Sequence, residues 1–366
     1  MDFAPSQEQD MLRDGARRYL ADDFAARRRG DQPTAWQGYA DLGWLALLAP
    51  EDAGGLGGDI EDVLILAEEM GRALSLQPYV ASAILAIGLV DLVASGQQRL
   101  DLLAAMTSGE RRLAPALYEP GRRYSIEPET RAAASGAGYR LSGAKSLIAG
   151  GPGADALLVP ARLDDGSIGL FLVPMDVAMD DAAVAASHYA TIDDGGASDV
   201  GFERLELGPD ALLGIATLDA IDDVLDEARL ALCADALGAL ERAVAITADY
   251  LKTRTQFGQP LANFQALQHS IVEIHIDADS IRSSLYNAIA AFHRGVRDDR
   301  RRAVSSCWVK TFDAAKGIAG MAVHLHGGIG MTTEYPVGHA LRRVMVSERR
   351  FGDVEYHLAR YMELAG

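Results

Sequence analysis

The sequence predicts an α+β chain in three consecutive parts: helical, then β, then helical again. Three observations predict it. From Met1 to about Arg112, apolar residues recur mostly at helical spacing. From Leu113 to about Leu207 the pattern changes to short alternating runs, LAPALY, YRLSGAKSLIAG, ALLVPARL, GLFLVP and VGFERLEL. Gly, Pro and Asp punctuate these runs, as antiparallel strands joined by hairpins require. From about Pro209 long helical segments return with short breaks, which suits a four-helix bundle. The expected domains are 1–112, 113–207 and 208–366.

Within the first part, Ser6 and Gln9 form a capping box. Met11, Leu12, Ala16, Tyr19 and Leu20 follow at helical spacing. A second helix is expected over Thr34–Leu48. The glycines of AGGLGGD, Ala53–Asp59, are not followed by Gly-Lys-Ser/Thr, so they are no phosphate loop. They are expected to serve close packing and positive φ. Asp62–Ser75, Tyr79–Ser95 and Gln97–Thr107 read as further helices. Beyond the β segment, helices are expected over Leu218–Lys252, Phe264–Phe292, Asp299–Leu325, Gly338–Glu348 and from about Val354. No solenoid repeat is visible.

A chain of 366 residues can form two or three packed units, and 49% hydrophobic content supplies a core. A net charge of −18 disfavours nucleic acid and anionic membranes as general partners. An anionic ligand would need a local cluster of Arg and Lys. No run of eighteen apolar residues exists, so no membrane span is expected. MDFAPSQEQDML lacks the basic and apolar regions of a signal peptide. Cys233 and Cys307 lie far apart without metal spacing. They read as reduced core residues of a cytoplasmic protein, with no metal site.

The stretch Tyr250–Ser270 carries the densest chemistry. It holds Arg254, Gln256, Phe257, Gly258, Pro260, Phe264 and Gln265. One helix is expected to stop at Gly258-Gln259-Pro260 and another to start. Such a corner can present an Arg and unpaired N–H groups to a phosphate, or can be a turn with a solvated Arg.

Arg-x-Gln-Phe-Gly at Arg254–Gly258, followed by Phe264-Gln265, resembles a signature of the acyl-CoA dehydrogenase family. HLHGGIGMTTEYP at His324–Pro336 and PEDAGGLGGDIEDVLILAEEMGRAL at Pro50–Leu74 resemble two more, in the same order and spacing. The likeness runs through nearly the whole chain. It implies an N-terminal helical domain, a middle antiparallel β-barrel domain and a C-terminal four-helix bundle. It implies FAD, an acyl-CoA substrate dehydrogenated to the 2-enoyl-CoA, and electron-transfer flavoprotein as acceptor. The expected assembly is a homotetramer, or a heterotetramer with a related subunit.

The resemblance also assigns residues. Arg254, Gln256 and Phe257 match those touching the pyrophosphate and adenosine of the neighbouring subunit's flavin, and Gln265 an adenine-side residue. His324 stands where Gln is usual, ahead of a Gly327-Gly328-x-Gly330 loop that lets backbone approach the pyrophosphate. Ile148 and Ala149 fall at the flavin ring. Asp353 and Glu355 replace a Thr and a Gln at the phosphate end. Ser125 falls in the stretch replacing the family's Gly-Ser-Asp, on the substrate side. Arg229 would meet the CoA or pair with Asp226 or Glu227.

Departures matter as much. The family's ring-facing aromatic is Leu147, and the hydroxyl that bonds the flavin is absent at Ala149. Abstracting an α-proton from a thioester needs a buried carboxylate of raised pKa and donors for the enolate oxygen. The usual Glu position is Phe351, and the alternative on the long helix is Ala228; neither can take a proton. Asp235, one heptad from Ala228 in the apolar run ALCADALGAL, and Glu227 are the remaining candidates, with Asp353 a third that also suits a helix cap. An active dehydrogenase, a non-catalytic partner subunit, a flavin oxidase or monooxygenase, and a cofactor-free scaffold all stay open. So does the acyl group: steroid side chains, aromatic acids and branched acids remain candidates.

Overall fold

The structure, a computed structural model, describes residues 5–29, 36–176 and 182–364. It divides into two compact units, 1–34 with 60–75 and 229–366, and 35–59 with 76–228. Its helices, in chain order, begin with α1 (Gln7–Leu20), α2 (Asp23–Arg29), α3 (Trp36–Asp41), α4 (Ile60–Ala73), α5 (Ala86–Val93) and α6 (Gly96–Thr107). After the sheet come α7 (Leu218–Thr253), α8 (Gln265–Arg294), α9 (Arg297–His326), α10 (Pro336–Ser347) and α11 (Val354–Leu364).

The first unit is helical apart from one short hairpin. Ser6 and Gln9 form the capping box read from the sequence: each side chain accepts the other's backbone N–H at 3.1 Å. Phe24 of α2, Leu74 beyond α4, Ala239 and Ala243 of α7, Ala322 and Val323 of α9, and Val337 and Ala340 of α10 share one core. The residues are small because the backbones run close. A Cβ on Gly71 of α4 would lie 1.8 Å from the Asp235 carbonyl oxygen, and one on Gly238 of α7 would lie 1.9 Å from that of Glu68. Charges line the same helices in pairs. Arg282 holds Glu68 through two bonds of 3.0 and 2.9 Å, and Arg17 holds Glu69 at 3.0 and 2.6 Å. Cys233 and Cys307, remote in sequence, are free, buried and hydrogen-bonded to each other; burial pushes the Cys233 thiol up.

The second unit carries the sheet. Its strands are β1 (Leu113–Pro115), β2 (Arg131–Ser135), β3 (Gly138–Ala149), β4 (Ala156–Leu163), β5 (Ile168–Pro174), β6 (Val184–Ala190), β7 (Gly196–Leu207) and β8 (Leu212–Ala216). The order is β6-β7-β3-β2-β4-β5-β8, with β1 beside β4. Most pairings are antiparallel, as alternation suggested, but β1 and β2 both meet β4 in parallel. β8 pairs with β5, so the sheet runs on past Leu207. Leu141, Ile148, Leu157, Val159, Phe171, Val200 and Phe202 form its core.

The loop Ala53–Asp59 does what its glycines suggested. Gly54 and Gly57 have φ of 79° and 58°, and a Cβ on Gly55 would lie 1.8 Å from the Ala49 carbonyl oxygen. The start of the expected Thr34–Leu48 helix lies outside the described residues. Its remainder is α3 and a 3₁₀ turn, Trp44–Ala46, broken at Gly43 with φ 74°. Among the described residues no helix is long and apolar enough to cross a membrane.

Candidate functional site

The first unit gathers the corner read from the sequence, in a different form. α7 stops at Thr253, and Thr255–Gln256 pairs with Gln259–Pro260 as a two-stranded hairpin. This corrects the expected helix break at Gly258-Gln259-Pro260. Phe257 and Gly258 form its tip, with φ of 54° and 80°. Positive φ at both central residues is the type I′ condition, which fits the right-handed twist of paired strands. Glycine meets it freely; phenylalanine does so under strain. Phe257 is 90% exposed and meets Phe264 edge-on, with centroids 6.1 Å apart. Gln256 is exposed, with its amide on the Thr255 carbonyl. Arg254 is exposed, and no other described residue pairs with its guanidinium. α8 begins at exposed Gln265 without a side-chain cap; the Leu267 and Gln268 N–H groups bond the Phe264 carbonyl, which leaves those of Gln265 and Ala266 to face a ligand.

The glycine loop closes α9. Gly327 has φ 63°, and a Cβ on Gly327 or Gly328 would meet nothing within 4 Å. The backbone there is open to a ligand. His324, one turn earlier, is exposed.

Asp353 is corrected. It is buried, its Oδ1 accepts the Tyr356 N–H at 2.9 Å, and Arg349 holds Oδ2 at 3.2 Å. It caps α11, so its charge is matched by Arg349 and is not turned on a phosphate. Phe351 is buried, and its carbonyl accepts from Arg229 Nε at 3.3 Å and His357 Nε2 at 3.1 Å. Arg229 also lies over the Tyr356 ring at 5.9 Å. Arg229 is buried and spent on fixing the chain around Phe351, which overturns its reading as a CoA contact.

Asp235 is corrected for a similar reason. It is 2% exposed, and Arg343 grips it through two bonds, Nε to Oδ1 at 2.9 Å and Nη2 to Oδ2 at 2.7 Å. The apolar neighbours along α7 are real, but the opposite charge arrives from α10. Both oxygens are bonded to a matched charge and the group is closed off by burial, so it is not presented to a substrate. Glu227 is half-buried on α7 and has its own interactions.

In the second unit, β3 slips in register against β7 between Lys145 and Ile148. Leu147 stands on that bulge with φ 55° and is 56% exposed. Two bonds hold the bulge: the Ser146 N–H to the Tyr118 carbonyl and the Leu147 N–H to Asp199 Oδ1, both 2.9 Å. Asp199 also accepts from the Tyr189 hydroxyl at 3.1 Å; burial, then Asp199, push that hydroxyl up to about 12. Ile148 is buried opposite Ser198, and Ala149 pairs with Ala197. Ser125 Oγ accepts the Glu127 N–H at 3.4 Å within a turn.

Glu119 and Lys145 anchor the start and middle of this region. Lys145 Nζ donates to Glu119 Oε1 at 2.7 Å, with the Thr130 hydroxyl at 2.7 Å on the same oxygen and the Glu129 N–H at 2.8 Å on Oε2. Burial pushes the Glu119 carboxyl up, but Lys145 and Thr130 outweigh it and leave it below the ordinary 4.5.

The corner therefore fits the phosphate end of a dinucleotide: one unmatched guanidinium, uncapped helix donors and an open glycine turn. The ring side fits less well, because Ala149 offers no hydroxyl. Sequence reasoning missed Arg343, Arg349, Tyr189 and Asp199; Arg343 and Asp199 meet partners 108 and 52 residues away, whereas the i,i+4 spacing of Arg349 and Asp353 was a legible signal.

A helical–sheet–helical chain of this order is the architecture of the acyl-CoA dehydrogenase class of flavoproteins. The comparisons agree. The acyl-CoA dehydrogenase N-terminal domain matches residues 6–110 and its C-terminal domain residues 218–364. Acyl-CoA dehydrogenase FadE27 of Mycobacterium tuberculosis is 34% identical over 315 residues, covering 82% of this chain and 80% of that one. Among solved structures, the ChsE4–ChsE5 complex from Mycobacterium tuberculosis superposes with TM-score 0.87 at 28% identity, covering 100% of this chain and 99% of that one. A variant of the Tcur3481–Tcur3483 steroid ACAD does so with TM-score 0.85 at 30% identity and 98% of each chain. The chain belongs to the acyl-CoA dehydrogenase family, whose members depend on FAD.

Proposed function

We propose that this chain is one subunit of a heteromeric acyl-CoA dehydrogenase. It contributes the Arg254 corner to a flavin shared with a related partner, and the partner supplies the carboxylate that takes the α-proton. The observation that carries the reading is the fate of the base positions. Phe351 is buried with its carbonyl pinned by Arg229 and His357. Asp235 is locked by Arg343. The corner, by contrast, keeps Arg254, Phe257, Gly327 and Gly328 exposed. A chain that has lost the base yet kept a neighbour-facing phosphate corner is what a non-equivalent pair would retain. The heteromeric naming of the ChsE4–ChsE5 relative supports it.

Arg254 would hold the pyrophosphate with a charged hydrogen bond, and the Gly327–Gly328 backbone and the start of α8 would supply N–H donors. Phe257 would cover the adenosine, with Gln256 and Gln265 beside it. FAD bound there supplies acceptance of the substrate's β-hydride. Leu147, exposed on its bulge, would contribute apolar surface without moving a proton. The assembly would convert an acyl-CoA to its 2-enoyl-CoA and pass electrons to electron-transfer flavoprotein. The steroid named for one relative favours a steroid side-chain thioester among the candidate acyl groups.

The test is expression of the chain alone and with a family subunit that keeps its Glu-Gly-Thr. Alone it should bleach no flavin with acyl-CoA; together they should. Arg254→Ala should lower flavin content, since such a bond contributes about 1.5–3 kcal/mol. Turnover by the wild-type chain alone would overturn the reading.

A further inference from the structure

His326 is the last residue of α9, next to Gly327, and is only 3% exposed. Its Nδ1 lies 2.7 Å from the Ala322 carbonyl oxygen. A carbonyl only accepts, so Nδ1 carries the proton and Nε2 a lone pair. That Nε2 has no hydrogen-bond partner among the described residues. The ring stacks on Tyr250, with centroids 4.4 Å apart at 30°, and meets Tyr335 at 4.9 Å. Tyr250 belongs to the last turn of α7, and its carbonyl accepts the Arg254 N–H at 2.8 Å. Tyr335 is the residue before α10. The glycine turn folds back on the same residue: a Cβ on Gly330 would come within 2.9 Å of His326 Cβ and 2.7 Å of the Val323 carbonyl oxygen. The residue thus meets the last turn of α7 before the Arg254 hairpin and the entry to α10 through its ring, and the Gly327–Met331 turn through its Cβ.

We propose that His326 is a positioning residue for the flavin corner. As a neutral Nδ1–H tautomer it sets the Arg254 hairpin against the Gly327–Gly328 turn, and a proton on Nε2 uncouples them. The inference rests on the corner being a flavin site.

The titratable groups packed on the ring are two phenols, Tyr250 from α7 and Tyr335 ahead of α10. On its own helix, His324 is exposed. No carboxylate among these contacts would receive an imidazolium. Burial lowers the His326 pKa below the ordinary 6.5, against the smaller opposing pull of the Ala322 carbonyl. The neutral form therefore holds through the ordinary histidine range, and the corner should fail only at lower pH.

The experiment uses the full chain in its native assembly, with wild type, His326→Phe, His326→Asn and Arg254→Ala. FAD affinity is read by flavin fluorescence from pH 8 to 5, and backbone hydrogen exchange at 254–260 and 327–331 is read without flavin. His326→Phe keeps the aromatic contacts and loses the Nδ1–H bond; it should bind FAD roughly ten-fold more weakly, the size of one neutral hydrogen bond, and lose the acid decline. Exchange should rise in both segments and not along α8. His326→Asn restores the donor to Ala322 and should recover part of the exchange protection. Unchanged exchange in both segments, or an acid decline that persists in His326→Phe, would overturn the role of His326. Unchanged FAD affinity in Arg254→Ala would instead overturn the corner itself. Should His326→Phe fold poorly, the wild-type imidazole nitrogen shifts decide: an Nε2–H tautomer at neutral pH refutes the proposal.

Discussion

Asp235 sits among Leu232, Ala234, Ala236 and Leu237, yet its charge is matched by Arg343. Breaking one half of a buried pair strands the other, at a cost of roughly 3–5 kcal/mol. Asp235→Asn should therefore lower the melting temperature sharply while leaving flavin reduction in the assembled enzyme unchanged per folded molecule. Differential scanning calorimetry and stopped-flow reduction check the two halves. Glu119 behaves alike in the second unit. Its folded pKa lies below the ordinary 4.5. Its contribution to stability is thus present above that value and lost as pH falls through the folded pKa. Urea midpoints measured from pH 7 downward should drop more steeply for wild type below about 4.5 than for Glu119→Gln. The variant should start lower at pH 7, because Lys145 is left buried without its partner.

The Arg254 hairpin shows local rules bent at one residue. A type I′ tip favours Asn-Gly, but this chain has Phe257-Gly258. Phe257→Asn should relieve about 1 kcal/mol of backbone strain. We expect unchanged or raised thermal stability with weaker FAD binding, since the exposed ring is lost. A fall in stability with unchanged affinity would show that Phe257 serves the fold. The bulge at Leu147 is a second such place: β3 re-aims one side chain to the surface, held by Tyr118 and Asp199.

For the molecule as a whole, the proposed function places the Arg254 corner against a neighbour's flavin. The chain should then never be isolated as a flavin-loaded monomer. Sedimentation velocity with detection at the flavin band checks this, and a yellow monomer contradicts it. Phe351→Glu asks how much of the lost site survives. Phe351 is buried and its carbonyl is pinned, so we expect a destabilised chain without gain of turnover.

By itself the sequence determined the helical–β–helical order, the Ser6 cap, the tight glycine loop at Ala53–Asp59 and the family. These depend on periodicity, short-range spacing and φ > 0, all of which neighbours along the chain control. It also located the corner, because Arg254 to Gln265 is one continuous stretch. Tertiary structure decided the charge partners. Whether Asp235 is a base or half of an ion pair depends on Arg343, 108 residues away along the chain. It also decided that β1 and β2 run parallel to β4, and that His326 stacks between Tyr250 and Tyr335. The reason is physical: burial and Coulomb interactions act over a few ångströms of space whatever the separation in sequence.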